Sequence, residues 1–473
     1  MTGERVEEDP MAGERGAAYR QWLAERTTAV VGLARSGIAA ARLIRRLGGR
    51  VLASDSGARE SLSAEARDLE HLGCALWTGG HPDAAFAGAD LVVVSPGVPL
   101  ELGALEAARA RGVPVIGELE LGWRVMEADL IAITGTNGKT TTTALTGELV
   151  GGTVRPLLVG GNIGTPLCAH ALDFPADGLV VAEASSFQLD TTELLRPRVA
   201  AVLNVTPDHL DRHKTFERYV EAKTKIFANQ TPADCAVLNA DDPVAASLAA
   251  RTHARVLWFS RLTPLDHGVF VRDAWIVAKL NGHVEEICPL GEIPLRGQHN
   301  VENVLAAAAC ALWTGLSPES IRRGIGAFRG VAHRIERVLA ERGVTYYNDS
   351  KGTNVASTIK ALESFAEPVI LIAGGKGKGQ DFDPLGQAAR GRVRQAVLIG
   401  ADRAQIRAVL EAAGVPCMDA GSMQEAVAAA RSLAGVGDVV LLSPACASFD
   451  MFDSYEHRGD IFKTVVHELT TPR

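Results

Sequence analysis

The chain has 473 residues, of which 47% are hydrophobic and 22% are charged. This composition is typical of a globular protein, and the length predicts more than one domain. The formal net charge of −8 argues against a protein that binds nucleic acid through its phosphates. No apolar run approaches the roughly 20 residues that cross a membrane, so we expect no membrane insertion.

The cysteines and the first residues indicate the compartment. The seven cysteines are dispersed, without a C-x-x-C pair, as is usual for reduced thiols in the cytoplasm. Residues 1–25 are charged and lack the apolar segment of a signal peptide. We therefore expect residues 1–25 to form a loose tail and the protein to be cytoplasmic.

Short β-branched runs alternate with Ala-, Leu- and Arg-rich stretches along the whole chain, which predicts parallel α/β sheets. Three blocks can be separated, covering residues 1–117, 118–329 and 330–473. The predicted strands of the first block are 28–32, 50–54, 91–94 and 114–116. Those of the second are 179–183, 199–204, 235–239 and 256–259, besides the run that precedes the loop described below. Alternation over 272–293, with a turn at Asn281-Gly282, predicts a hairpin addition. The third block has strands at 345–348, 369–373, 395–399 and 439–443.

The first block resembles the start of a dinucleotide-binding domain. Gly32 and Gly37 lie in the turn after the first strand, and Asp55 follows about 20 residues later. Ala34 stands where the second glycine of that fingerprint would be. A nucleotide diphosphate other than NAD is therefore the favoured ligand, and a purely structural sheet is the alternative.

The second block contains a phosphate-binding loop. An apolar run ends at Ile133, and Gly135-Thr136-Asn137-Gly138-Lys139-Thr140-Thr141 follows before a predicted helix. Backbone N–H groups of such a turn and the helix N-terminus attract phosphate, while the lysine and threonine suit the outer phosphates and Mg²⁺. The usual glycine five residues before Gly138 is replaced by Ile133. The loop nevertheless predicts ATP binding more strongly than a plain Gly-rich turn.

Two further strand ends in this block carry groups that suit a metal ion. Glu183 ends the strand 179–183, where it would bind Mg²⁺ or lie in solvent. His209 follows the strand 199–204, as a metal or substrate ligand or as a structural histidine. Lys223 lies on a predicted helix and could bind Mg²⁺ only after CO₂ converts its neutral amine to a carbamate. The sequence alone favours an exposed helix lysine there.

Amides and basic groups dominate the remaining motifs. Asn300 and Asn303 share one face of a predicted helix over 301–313, where amides suit a base or a phosphate, and Asn300 could instead cap that helix. Arg334, the turn 348–354, the glycine-rich loop 374–379 and the segment 443–450 each suit an anionic ligand. Each of the last three follows a predicted strand of the third block.

Together these residues resemble the Mur ligase family, the ATP-dependent amino-acid ligases that build the stem peptide of peptidoglycan. The resemblance is collinear over almost the whole chain and includes the loop 135–140 as the family's own phosphate loop. It implies a Rossmann-like N-terminal domain, a central P-loop ATPase-like α/β domain and a Rossmann-like C-terminal domain. The turn 348–354 and the segment 443–450 resemble the branch that adds D-glutamate, and the Asp-Asn-Pro-Arg string of the diaminopimelate- or lysine-adding branch does not occur.

The resemblance implies ligation of D-glutamate to UDP-N-acetylmuramoyl-L-alanine through an acyl phosphate, in the cytoplasmic synthesis of peptidoglycan precursors for cell shape and division. Alternatives are a ligase for another amino acid and a folylpolyglutamate-synthetase-like enzyme. A nucleotide-sugar or NAD(P) binding protein and an oxidoreductase are alternatives from other classes. The implied partners are the small-molecule substrates alone, without nucleic acid, and the implied state is a monomer.

The resemblance also implies roles for particular residues. Lys139, His209 and Lys223 would be catalytic. ATP would contact the loop with its lysine and threonines, the two amides, and two groups of the third block: Gly135, Thr136, Asn137, Gly138, Lys139, Thr140, Thr141, Asn300, Asn303, Arg334 and Asp349. Mg²⁺ would be held by a hydroxyl, a carboxylate, an imidazole and a carbamate: Thr140, Glu183, His209 and carbamylated Lys223.

Substrate-binding roles are implied in all three blocks. The UDP-sugar would contact residues of the first two blocks: Arg35, Ser36, Asp55, Ser56, Ser95, Asn162 and His209. D-Glutamate would contact residues of the third block: Lys351, Thr353, Lys378, Ser448, Phe449 and Tyr455. A phenylalanine is the familiar residue at the last of these positions in the family, so Tyr455 is a departure.

Overall fold

The computed structural model describes residues 15–153, 155–377 and 379–470. The chain forms three β-sheets, each surrounded by helices. It divides into two compact units, one comprising Met1–Glu292 and Glu302–Gly326 and the other Ile293–Val301 and Ala327–Arg473. Within the described ranges, no helix is long and apolar enough to cross a membrane.

The first sheet has five parallel strands in the order β3-β2-β1-β4-β5. Its strands are β1 Thr27–Val31, β2 Arg50–Ser54, β3 Ala75–Trp77, β4 Leu91–Val94 and β5 Val115–Gly117. Helices in this part of the chain are α1 Ala17–Ala24, α2 Arg35–Leu47, α3 Ala64–Arg67, α4 Gly103–Ala110 and α5 Glu118–Val125. β4 is apolar throughout, and β1 and β2 are buried on both faces from their second residue onward, as parallel strands between helix layers require.

The expected loose tail over residues 1–25 is wrong for its last part, and residues 1–14 lie outside the described ranges. Residues 17–24 form helix α1, whose Tyr19 and Leu23 are fully buried. The Gly16 amide donates to the Arg124 carbonyl at 2.8 Å, and Arg20 Nε donates to the Val125 carbonyl at 2.9 Å. These bonds to the end of α5 order a segment whose charged composition alone suggested no structure.

The central sheet has nine strands in the order β14-β13-β12-β11-β10-β9-β6-β8-β7. All neighbours from β7 to β12 are parallel, and β13 is antiparallel to both β12 and β14. The strands are β6 Asp129–Thr134, β7 Leu157–Gly161, β8 Leu179–Glu183, β9 Val199–Val202, β10 Cys235–Asn239, β11 Arg255–Ser260, β12 Gly268–Arg272, β13 Trp275–Leu280 and β14 His283–Pro289.

The helices of the middle of the chain follow the strands in βα alternation. They are α6 Lys139–Gly151, α7 Ser186–Leu189, α8 Leu210–His213, α9 Phe216–Thr224, α10 Pro243–Ser247, α11 Gln298–Trp313 and α12 Pro318–Ala327. The predicted hairpin is confirmed, since β13 and β14 pair around Asn281 and Gly282. Both turn residues have positive φ, 50° and 81°, which is why an Asn-Gly pair occupies this turn.

The third sheet has six strands in the order β15-β16-β20-β17-β18-β19, with only β15 antiparallel to its neighbour. The strands are β15 Glu336–Glu341, β16 Val344–Asn348, β17 Val369–Gly374, β18 Val393–Ile399, β19 Cys417–Asp419 and β20 Val439–Leu442. The helices are α13 Val355–Glu363, α14 Asp383–Ala389, α15 Arg403–Ala412, α16 Met423–Leu433 and α17 Tyr455–Thr470. Three domains, each built on one α/β sheet, confirm the fold class; the domain boundaries stay a prediction.

The turn between β1 and α2 shows why a glycine is required at one position. A Cβ atom on Gly37 would lie 1.9 Å from the Gly32 carbonyl oxygen and 2.9 Å from Ser95 Oγ. The Ser95 hydroxyl donates to that same Gly32 carbonyl at 2.7 Å. The three residues therefore form one tightly packed turn at the carboxyl ends of β1 and β4.

We expect Gly37→Ala to lower the free energy of unfolding by about 1–3 kcal/mol, because the added methyl group overlaps backbone atoms that cannot rotate away. Urea-induced unfolding followed by circular dichroism measures this. Gly103→Ala at the start of α4 is the matched control, since no described atom lies within 4 Å of its added Cβ. Equal losses of stability in the two variants would contradict the packing argument.

Candidate active site

The phosphate loop joins β6 to α6, as predicted from the sequence. Gly138 has φ 84°, a left-handed conformation, and a Cβ there would lie 2.3 Å from Asn303 Oδ1. Glycine is thus required at this position for both conformation and space. Thr140 and Thr141 lie buried in the first turn of α6, and the loop amides precede the N-terminus of this helix.

The end of the neighbouring strand β9 fixes the shape of this loop. The Thr136 amide donates to the Asn204 carbonyl at 2.9 Å, and the Asn137 amide donates to Asn204 Oδ1 at 2.8 Å. Asn204 Nδ2 donates back to the Asn137 carbonyl at 3.2 Å. Lys139 Nζ donates to the carbonyls of Gly135 and Thr136, both at 2.9 Å. The ammonium group of Lys139 is therefore held against the phosphate loop, as its position in the sequence motif predicts.

Glu183 presents an unsatisfied carboxylate oxygen beside the loop-bearing strand. It ends β8, which pairs directly with β6, and its side chain is buried. Asn162 Nδ2 donates to Glu183 Oε1 at 2.7 Å, whereas the buried Oε2 has no hydrogen-bond partner among the described residues. A buried carboxylate oxygen without a donor is unfavourable unless a cation or water completes it. This oxygen fits a hard cation such as Mg²⁺.

Lys223 is fully buried in helix α9, so the sequence-based preference for an exposed lysine is wrong. Its Nζ donates to the Gly135 carbonyl at 2.8 Å and lies 4.6 Å from the centre of the Tyr219 ring. Burial, followed by the charge of Lys139, lowers the pKa of Lys223 well below its usual value, against the opposing effect of Asp208 and Glu183. The neutral amine is the form that reacts with CO₂.

His209 lies at a strained backbone position after the end of β9, the strand that also leads into Asn204. Its φ of 52° is left-handed, its side chain is half exposed, and its ring centre lies 5.0 Å from that of Phe187. In the described ranges no three or more His, Cys, Asp or Glu side chains are grouped closely enough to hold a metal ion. The predicted Mg²⁺ ligands include only two such side chains, Glu183 and His209, so their role stays a prediction.

The two predicted amides both lie in α11 and are buried. Asn303 Oδ1 accepts from the Thr142 hydroxyl at 3.2 Å, so this amide supports the phosphate loop and its helix, a contact that the sequence did not predict. Asn300 Nδ2 donates to the Arg296 carbonyl at 2.6 Å. The alternative that Asn300 is the helix N-cap is wrong, because α11 already begins at Gln298.

A cavity of about 870 Å³ lies at the first sheet, lined partly by Arg35 and Asp55. Asp55 accepts from the amides of Leu33 at 2.6 Å and Gly57 at 2.8 Å, which fixes its carboxylate in the turn. The opposite wall of the cavity includes residues 164–166, and Arg35 Nη1 donates to the Gly164 carbonyl at 3.3 Å. Four other predicted substrate residues of the first two blocks are not among its lining: Ser36, Ser56, Asn162 and His209.

Ser95 also does not line this cavity, because its hydroxyl is directed at the Gly32 carbonyl. The bond from Ser95 to Gly32 gives this serine a structural role in the turn, and its contact with the substrate stays a prediction.

The second unit carries its own group of predicted site residues around the end of β16. Asp349 is buried, and its carboxyl group accepts from the Ser443 hydroxyl at 2.7 Å and the Ile335 amide at 3.2 Å. Burial raises the pKa of Asp349 to about 7, although Ser443 and the charge of Arg334 act in the opposite direction. Asp349 therefore changes its charge near neutral pH.

Arg458 connects the two predicted substrate segments of this unit, and sequence reasoning missed it. The side chain is completely buried; Nε and Nη2 donate to the hydroxyl and carbonyl of Ser350 at 2.9 and 2.8 Å, and Nη1 donates to the Cys446 carbonyl at 3.1 Å. The Ser350 hydroxyl donates to the Tyr455 carbonyl at 2.8 Å. One arginine thus holds the turn 348–354 against the segment 443–450.

The other predicted substrate residues of this unit have different environments. Lys351 Nζ lies 5.7 Å from the centre of the Tyr455 ring. Thr353 is half-buried, and its backbone amide donates a hydrogen bond to the Lys351 carbonyl at 2.8 Å. Ser448 is buried, whereas Phe449 is 72% exposed. Lys378 lies outside the described residues.

Three family models match the chain and together cover most of it. They are "Mur ligase MurD-like, N-terminal domain" over residues 26–117, "Mur ligase middle domain" over 133–311, and "Mur ligase, glutamate ligase domain" over 333–446. The chain belongs to the Mur ligase family.

Relatives named UDP-N-acetylmuramoylalanine--D-glutamate ligase are 48% identical to it. They include those of Pelotomaculum thermopropionicum and Koribacter versatilis, and each alignment covers 93% of this chain and 97% of the relative.

Solved structures share the fold at lower identity. UDP-N-acetylmuramate-alanine ligase from Thermotoga maritima is 19% identical, with a TM-score of 0.59 over 94% of this chain and 100% of that one. A pseudomurein peptide ligase type C from Methanothermus fervidus is 18% identical, with a TM-score of 0.55 over the same shares of the two chains. These similarities support the three-domain architecture.

We expect Asp349→Asn to change how stability depends on pH. The Asp349 carboxyl group has a pKa near 7 in the folded protein and near 4 in the unfolded chain. Between these pH values the folded state binds more protons, so the contribution of Asp349 to the free energy of unfolding falls as the pH rises from about 4 to about 7. Above about pH 7 that contribution stays constant at its most unfavourable value. The free energy of unfolding of the Asn variant relative to the parent should therefore rise by about 2–3 kcal/mol between about pH 5 and about pH 8. Denaturant unfolding at both pH values measures this.

Asp266→Asn serves as the control for that experiment, since the Asp266 side chain is fully exposed. Its stability relative to the parent should not change over this pH range. A parallel pH profile for Asp349→Asn and the parent would contradict the raised pKa.

Proposed function

We propose that this protein is an ATP-dependent ligase that joins D-glutamate to the carboxyl group of UDP-N-acetylmuramoyl-L-alanine, in the synthesis of peptidoglycan precursors. The main structural support for the ligase chemistry is the contact of the buried Lys223 amine with the phosphate loop, where Nζ lies 2.8 Å from the Gly135 carbonyl oxygen. The 48% identity to relatives with this name over 97% of their length carries the choice of substrates. A ligase for another amino acid and a folylpolyglutamate-synthetase-like enzyme are not favoured.

The reaction needs activation because a carboxylate is a poor electrophile toward an amine. Transfer of the γ-phosphoryl group of ATP to the alanine carboxylate gives an acyl phosphate and ADP. Attack by the D-glutamate amine forms a tetrahedral intermediate, which collapses to the amide and releases phosphate. Positioning and charge neutralisation, more than covalent chemistry of the protein, would accelerate both steps.

The phosphate loop would bind the outer phosphates of ATP. The loop amides that do not bond to Asn204 and the helix N-terminus would provide donors, and Lys139 would move from the loop carbonyls to the γ-phosphate. Asn300, Asn303, Arg334 and Asp349 would complete the nucleotide site.

Mg²⁺ would be held by Thr140, Glu183, His209 and the carbamate of Lys223. The unsatisfied, buried Oε2 of Glu183 supports this assignment. The ion, when bound, neutralises the negative charge of the phosphates and the carboxylate that must approach one another. Carbamylation would convert a neutral buried amine into an anionic ligand beside the loop.

The UDP-sugar would occupy the 870 Å³ cavity of the first sheet, with Arg35 and Asp55 in its lining. Ser36, Ser56 and Ser95 would act from the adjoining turns, and Asn162 and His209 from the second block. D-Glutamate would contact residues of the second unit: Lys351, Thr353, Lys378, Ser448, Phe449 and Tyr455. The tyrosine replaces the family's familiar phenylalanine, and its aromatic ring preserves the same kind of contact. We further propose that the protein acts as a monomer in the cytoplasm.

The experiment that tests the function measures phosphate release from ATP and Mg²⁺ in the presence of UDP-N-acetylmuramoyl-L-alanine. D-Glutamate is compared with L-glutamate, L-lysine and meso-diaminopimelate, and the product is identified by mass spectrometry. Release that depends on D-glutamate alone is expected. Release with another amino acid would retain the ligase mechanism and overturn the substrate, and no release with any would overturn the ligase assignment.

We expect Lys223→Ala to reduce ligation by more than about a thousand-fold, with partial rescue by short carboxylic acids such as acetate that replace the carbamate. Lys225→Ala is the control two residues away, since Lys225 pairs with Asp190 at 3.3 Å and has no assigned role; it should remain active. A ¹³C signal of a carbamate from labelled bicarbonate should appear in the parent and be lost with Lys223. Full activity of Lys223→Ala without added acid would exclude the carbamate.

A further inference from the structure

A second cavity lies at the amino ends of the central strands, at the opposite end of the sheet from the phosphate loop. Its volume is about 350 Å³, and its lining includes the guanidinium groups of Arg15, Arg196 and Arg198. Asp129 at the start of β6 also lines it, whereas the other end of β6 leads into Gly135. The cavity is therefore separate from the candidate active site, and no role assigned above uses it.

Arg15 is held in the wall by backbone carbonyls. Its Nε donates to the Trp123 carbonyl at 3.2 Å, and its Nη2 donates to the carbonyls of Met126 and Ala128 at 3.0 and 3.3 Å. The guanidinium carbon lies 4.1 Å from the centre of the Trp123 ring. These contacts fix the direction of the guanidinium group without neutralising its charge.

Arg196 and Arg198 are held by one buried carboxylate. Arg196 Nε contacts Asp234 Oδ2 at 2.8 Å, Arg198 Nη1 contacts Asp234 Oδ1 at 2.9 Å, and Asp234 is fully buried. Arg196 Nη2 also donates to the Thr231 hydroxyl at 2.8 Å. Arg198 Nε also lies 3.9 Å from Asp129 Oδ1, a longer contact than either bond to Asp234.

Each of the three arginines keeps one terminal nitrogen for another ligand. In the described part of the chain, Nη1 of Arg15, Nη1 of Arg196 and Nη2 of Arg198 donate no hydrogen bond to protein. Arg155, whose Nη2 contacts Asp129 at 2.9 Å, completes a cluster of four guanidinium groups and two carboxylates. Burial lowers the pKa of Arg15, against the opposing charges of Asp129, Glu127 and Glu120. The three free guanidinium donors therefore define the site.

We propose that this cavity binds a small dianion, with its phosphate or paired carboxylate oxygens on the three free guanidinium N–H groups. Arginine is suited to such oxyanions because its planar donors match their geometry and it stays charged. Trp123 and Leu194 in the lining provide an apolar surface for the rest of the molecule. Three guanidinium donors match an occupant with several oxyanion oxygens, which a small dianion provides.

Isothermal titration calorimetry at constant ionic strength tests the site with two probes, inorganic phosphate and succinate. The protein is first saturated with ADP and Mg²⁺, so that the phosphate loop is occupied. Arg196→Gln removes one free donor while Arg198 and Thr231 still satisfy Asp234. Leu194→Glu keeps every arginine and adds a negative charge to the lining. Arg323→Gln, which removes an arginine whose side chain is 72% exposed elsewhere, is the matched control.

We expect saturable binding of at least one probe, weakened at least ten-fold in Arg196→Gln, lost in Leu194→Glu and unchanged in Arg323→Gln. Binding of phosphate alone would identify a phosphorylated occupant, and binding of succinate alone a dicarboxylate. Circular dichroism checks that each variant is folded. Because Arg196→Gln and Leu194→Glu change the cavity in different ways, the conclusion does not depend on a single substitution. The proposal is overturned if neither probe binds saturably below about 10 mM, or if binding persists undiminished in both cavity variants.

Discussion

The parallel pairing of three neighbouring strands determines where the chemistry of this protein can occur. β8, β6 and β9 lie side by side with the same direction, so their carboxyl ends meet at one edge of the central sheet. Glu183, the phosphate loop and Asn204 follow those three ends. Backbone hydrogen bonds fix the register of each strand. The carboxylate of Glu183 and the phosphate loop are therefore brought together by strand pairing and not by contacts between their own side chains. Open α/β sheets place their ligands at this edge for the same reason.

Buried cations in this fold are stabilised in different ways, and the difference bears on their chemistry. Arg124 has carboxylates for partners, with Nε 2.7 Å from Glu120 and Nη2 3.0 Å from Glu193. Arg458 has a hydroxyl and two carbonyls, and burial lowers its pKa only to about 10. Lys223 has one carbonyl at hydrogen-bond distance and an aromatic face. Burial lowers the pKa of Lys223 well below its usual value, which favours the neutral amine that a reaction with CO₂ requires.

Much of the fold follows from local sequence, and what escaped prediction depends on tertiary contacts. Every predicted strand is present, because central parallel strands are continuous apolar runs. The strands that were missed are β3, β7, β12, β15 and β19. All except β12 lie at sheet edges, where short and half-exposed segments lose the apolar signal. The phosphate loop and Glu183 were recognisable from the order of strand, turn and helix. The burial of Lys223 and the bridging role of Arg458 were not, because a single polar residue carries no periodicity that reveals which segments pack around it.

The antiparallel strand β14 has a consequence for how the folded protein behaves in a crowded solution. It forms the outer edge of the nine-stranded sheet, where unpaired backbone groups would otherwise accept a strand from another molecule. His283, Glu285 and Glu286 are exposed along it, and its pairing with β13 is irregular at Ile276 and Val277. Charge repulsion and a bent ladder both oppose edge-to-edge association, and Pro289 at the end of the strand lacks the N–H needed to extend it. A large sheet thus ends in a segment that discourages aggregation.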